Sequence, residues 1–137
     1  MFKKPKVIVE PAESITNSGL RALLKGRFPG AQIWLSDGDY KLCSPEYIDT
    51  ILELDDSNKR EYVVTTYDCD DFAYRLMGQL SVPEYSDLAF GIVWTDKHAM
   101  NVFVDNTKQV WFIEPQTDGR FQEISGEQGT KVLLVVI

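Results

Sequence analysis

The feature that most constrains this chain is a change of hydrophobic period at residue 88. Before it, apolar residues recur at helical spacing: Leu20, Leu23 and Leu24, then Tyr47, Ile48, Ile51, Leu52 and Leu54, then Phe72, Ala73, Leu76, Met77 and Leu80. After it, β-branched and aromatic runs over 88–95, 99–104, 109–114 and 131–137 read as strands. Helical stripes first and hairpin-joined strands second predict an α+β fold, with N-terminal helices packed on an antiparallel β-meander. At 137 residues the chain is long enough for one core and too short for two, so 1–137 is read as a single domain.

Local signals set the boundaries. The run 5–10 reads as a first strand ended by Pro11, and Asn17 or Ser18 can cap a helix that Gly26 and Pro29-Gly30 close. Residues 31–35 form a second short strand. Ser44 before Pro45 is a helix N-cap with proline at the first helical position, and that helix runs into the polar stretch 55–60. A further helix begins at Asp68 and cannot pass Pro83, so Cys69 falls in its first turn. Asp105-Asn106-Thr107-Lys108 reads as a hairpin turn.

Composition narrows the function classes. With 44% hydrophobic and 26% charged residues the chain is globular in type. Its 14 basic and 21 acidic residues give a formal charge of -7, which opposes nucleic acid. The lysines at positions 3, 4 and 6 read as a solvated tail. No run approaches the roughly 18 apolar residues of a membrane span, and no apolar segment follows the first lysines as a signal peptide would require, so a cytoplasmic protein with no membrane partner is expected. Both cysteines are expected as thiols. Oligomeric state is not encoded in any of these signals.

The chain has one histidine, so an imidazole base can only be His98. A thiol in the first turn of a helix sees the partial positive charge of unpaired N–H groups, which favours thiolate. Cys69 has that position, whereas Cys43 precedes the Ser44 cap. A turn centred between Asn106 and Thr107 sets His98 nearly opposite Glu114, where a carboxylate can orient the ring.

Asp68-Cys69-Asp70-Asp71-Phe72-Ala73 opening a helix, His98-Ala99-Met100-Asn101-Val102 opening a strand, and an acidic residue ending the next strand resemble the transglutaminase-like cysteine peptidases of bacteria, within the papain-like fold. The resemblance covers 68–114. It implies a papain-like core and a thiol hydrolase or acyl transferase acting on an amide or ester bond of a peptide or protein substrate. Cys69 would be the nucleophile, His98 the base and Glu114 the orienting acid, with Gln116 as the alternative orienter. Tyr67 and Tyr62 are candidate side-chain oxyanion donors, and Asp71 a support for the loop before the His98 strand. No cofactor is implied.

The alternative of a different class is a catalytically inactive papain-like binding or inhibitory module, of phage or bacterial origin, that engages a protein partner. No metal site is expected, because Asp68, Cys69, Asp70 and His98 lack the spacing of a closed zinc set. Asp70 and Asp71 read first as helix-dipole and capping residues. Trp94, Trp111, Phe90, Phe103 and Phe112 stand at strand spacing and read as packing residues, a carbohydrate-stacking surface being the lesser alternative.

Overall fold

The computed structural model describes residues 13–55, 68–114 and 116–137. The strand expected over 5–10, Tyr62, Tyr67 and most of the polar stretch after the second helix lie outside these residues. In chain order the elements are β1 (Glu13–Thr16), α1 (Asn17–Arg27), β2 (Gln32–Trp34), β3 (Asp39–Leu42), α2 (Pro45–Leu54), α3 (Cys69–Leu80), β4 (Phe90–Thr95), β5 (Ala99–Val104), β6 (Val110–Glu114), β7 (Gly119–Phe121) and β8 (Val132–Val136), with a 3-10 turn at Gly126–Gln128 before β8.

The sheet is the centre of the molecule, in the order β2-β8-β4-β5-β6-β7, and β1 pairs with β3 in a separate two-stranded ribbon. The expected papain-like core of N-terminal helices on a meander is corrected here. The last strand, β8, inserts between β2 and β4, and it runs parallel to β2 while the other pairings are antiparallel. Nor do the helices form one layer. Leu20 and Leu24 of α1 pack in one apolar cluster with Val93, Met100, Val102 and Phe112, whereas Ile48, Ile51 and Leu52 of α2 and Leu76 and Leu80 of α3 pack in the other with Phe90, Phe103 and Ile113. Strand residues alternate between faces, so β5 can be buried at all six positions only because both faces are covered.

Each helix is set by its ends. Thr16 Oγ1 caps α1 by accepting from Gly19 N at 3.1 Å, one residue before the expected cap. Ser44 caps α2 through Tyr47 N at 3.1 Å, with Pro45 following. The three fully buried aliphatics of α2 each stabilise the fold by roughly 1.5–3 kcal/mol through water removal. Buried Asn101 joins α3 to the sheet, its Nδ2 donating to Ala73 O at 3.0 Å and Gly91 O at 3.1 Å. Position 91 must be glycine, since a Cβ there would fall on the Val136 carbonyl of the neighbouring strand.

The β5–β6 hairpin has a three-residue loop. Asp105 N donates to Gln109 O at 2.9 Å and Lys108 takes the left-handed conformation at φ 65. The loop therefore centres on Thr107, and Asn101 pairs with Ile113, one residue out of the expected register.

Candidate functional site

At the end of β4 and β5 farthest from that loop, the chain turns sharply through Thr95 to His98. Thr95 N donates to His98 O at 2.8 Å, and Thr95 Oγ1 accepts from His98 N at 2.9 Å. The same hydroxyl lies 2.6 Å from the Gln128 carbonyl, fastening the 3-10 turn to this corner. Asp96 completes the clip, its carboxylate accepting from Thr130 Oγ1 at 2.7 Å, Thr130 N at 2.8 Å and Lys131 N at 3.3 Å. These bonds, those of Thr130 foremost, hold the Asp96 carboxyl down at about 2. Gly129 has φ 113, and a Cβ there would strike Thr95 Oγ1, so the glycine permits the close approach.

His98 Nε2 meets Glu114 Oε2 at 2.6 Å, with both side chains largely buried. With the register displaced, Glu114 falls opposite Met100 and reaches His98 diagonally, two residues along on the same face, rather than from directly opposite. Its second oxygen, Oε1, is buried and has no hydrogen-bond partner among the described residues. Beside the pair lies an open cleft of about 420 Å³ lined by His98, Glu114, Gln116, Ser125, Glu127 and Gln128. Gln128 Oε1 accepts from Ser125 N at 3.0 Å, so the 3-10 turn carries its own capping box.

The remaining sequence candidates divide. Cys69, half-buried at the start of α3, forms no hydrogen bond with His98 among the described residues. Asp71 caps its own helix, Oδ2 accepting from Asp68 N at 3.2 Å. The ligating atoms of Asp68, Asp70 and Asp71 lie within 4.8 Å of one another, near enough to share a cation. A hydrogen bond with Asp70, partial burial and the charges of Asp70 and Asp71 raise the Asp68 carboxyl to about 6. Trp111 is structural: it donates to Asp105 at 2.8 Å, stacks on Phe103 and lies under the Arg120 guanidinium at 4.5 Å. Trp94 instead meets exposed Tyr74, ring centres 6.1 Å apart. The sequence reading missed Ser125, Glu127 and Gln128. The pattern Ser-x-x-Gln between Ile124 and Gly129 was the available signal, that of a capping box.

No family model matches the chain, and no curated protein matches it. Solved structures do. The chain is similar to PSL1a in its complex with E64, at 24% identity and a TM-score of 0.76, over 90% of this chain and 50% of that one. It is also similar to Polyporus squamosus lectin bound to the human-type influenza-binding epitope Neu5Aca2-6Galb1-4GlcNAc, at 23% identity and a TM-score of 0.64, over 88% of this chain and 49% of that one. The chain thus shares the fold of about half of each of these chains.

These likenesses correct the reading drawn from the short motifs. The structural neighbours include a lectin, and the transglutaminase-like peptidase assignment is withdrawn. With it go the thiol hydrolase or acyl transferase, the catalytically inactive papain-like module, and the peptide or protein as partner. A few residues at a helix start and a strand start recur by local geometry, and they do not carry a family. No helix among the described residues is long and apolar enough to cross a membrane.

Proposed function

We propose that this chain is a carbohydrate-binding module whose ligand cleft is the pocket beside His98 and Glu114. The observation that carries the reading is the lining of that cleft: imidazole, carboxylate, carboxamide and hydroxyl side chains. A sugar presents several hydroxyls that both donate and accept, so it can satisfy such a lining, whereas an apolar ligand would strip water from it without return. At about 420 Å³ the cleft lies in the lower part of the range of small-ligand pockets, about 300–1,000 Å³. Similarity of fold to a lectin solved with a bound glycan epitope supports the same class of ligand.

The test is calorimetric titration with galactose and with Galb1-4GlcNAc, on the native chain and on Glu114→Gln and Gln128→Ala. Saturable binding, weakened at least tenfold in both variants at unchanged melting temperature, is expected. Absence of binding at millimolar sugar, or full binding in both variants, would refute it.

A second reading rests on the complex of PSL1a with E64. Here Cys69, His98 and Glu114, with Gln116 as the alternative to Glu114, are the residues that meet a small ligand, with Asp71 and, outside the described residues, Tyr67 as the supporting candidates. E64 added to native protein and to Cys69→Ser, followed by thermal shift and intact mass, distinguishes the two. A response to E64 that needs Cys69, together with no response to sugars, favours this second reading.

A further inference from the structure

We infer that the cleft selects ligands that donate hydrogen bonds, neutral and amino sugars, and discriminates against carboxylated ones. The inference deepens the carbohydrate-binding reading and rests on it. Glu114 and Glu127 both line the cleft, and among the described residues no lysine or arginine does. The one imidazole there is already engaged, since His98 Nε2 faces Glu114 Oε2 at 2.6 Å. Glu114 Oε1, buried and without a partner among the described residues, leaves the carboxylate's charge offset from one side only.

A hydroxyl can donate to a carboxylate at the cleft wall, and an ammonium does so with an opposite charge as well. A sugar carboxylate brings two more acceptors and a like charge into a lining that already holds two carboxylates, so it meets repulsion that no cation among the described lining residues offsets. The neutral lining groups can orient a sugar without reversing this preference. Ser125 offers a hydroxyl, Gln116 a carboxamide, and Gln128, whose oxygen is taken by Ser125 N, offers its amide N–H. The cleft is thus built for the neutral or basic part of a glycan rather than for an acidic terminus.

The experiment titrates native protein with galactose, galactosamine and N-acetylneuraminic acid at roughly 0.15 M salt, where interactions with distant surface charges are screened. Galactosamine is expected to bind severalfold more tightly than galactose, and N-acetylneuraminic acid at least tenfold more weakly. In Glu114→Gln, with folding checked by circular dichroism, the spread between the basic and the acidic sugar should shrink by about tenfold. If all three bind and the acidic sugar binds as well as galactose, the selectivity is wrong and the carbohydrate reading stands. If none binds, the reading falls and the inference with it.

Discussion

Two carboxylates stand at opposite ends of the β5–β6 hairpin, and the protein treats them differently. Asp105, only 3% exposed, accepts from Thr107 N, Thr107 Oγ1, Gln109 N and Trp111 Nε1, at 2.7–2.9 Å. Burial would raise its carboxyl, but these bonds outweigh burial and lower it. Glu114 binds His98 through one oxygen, and the other has no partner among the described residues. Donors used up around a buried carboxylate mark a structural group. A carboxylate at a cleft wall, held by one side-chain contact, keeps a charge that can act on a ligand.

The contrast breaks most visibly by substitution. Asp105→Ala leaves the loop N–H groups and Trp111 Nε1 without their acceptor and should cost about 2–4 kcal/mol in denaturant unfolding. Glu114→Gln should cost less than about 1 kcal/mol in the same assay while weakening sugar binding at least tenfold, since a glutamine oxygen can still accept from His98. Equal losses at the two sites would erase the distinction.

Acid sharpens it next. Asp105 and Asp96 are both depressed, Asp96 to about 2, so each stabilises the fold above the unfolded carboxylate value of about 3.9. That contribution is lost as pH falls through the folded values. Stability followed from pH 5 to pH 2 should therefore fall, and the slope should be shallower in Asp105→Asn and in Asp96→Asn. Glu114→Gln serves as the comparison on the other side of the hairpin.

The smallest effect concerns Asp68, which is displaced the other way. Its carboxyl is raised to about 6, so any stability tied to it is full below about 3.9 and is lost as pH rises through 6. Asp68→Asn keeps an N-capping side chain and should raise the melting temperature slightly at pH 7.5, with no gain at pH 4. A gain at pH 4 alone would contradict the sign.

Much of the local structure was legible because it is local. Ser44-Pro45 set the start of α2, and β-branched runs marked β4, β5, β6 and β8. What escaped depends on distant partners. The parallel pairing of Gln32–Trp34 with β8 joins segments about a hundred residues apart, and no periodicity encodes it. The short strands β1, β3 and β7 are too brief to show alternation above noise. The register of β5 on β6 turned on Lys108, a residue type with no special tolerance for φ 65. Half of the cleft was legible, because His98 is unique and Glu114 ends a strand. Ser125, Glu127 and Gln128 sit in a polar segment that Thr95 and Asp96 hold from more than thirty residues away. The family was misread for a related reason: six residues at a helix start and five at a strand start describe two local geometries, and the sheet order between them is set elsewhere.

Because His98 is the only histidine in the chain, its ring nitrogens give one resolved pair of resonances and report on the cleft alone. Titrating galactose into uniformly 15N-labelled protein while following that ring is the most direct test of the carbohydrate-binding reading. The account predicts a saturable shift of the His98 signals that is lost in Gln128→Ala. Sugar that binds without moving His98, or that does not bind at all, would contradict it.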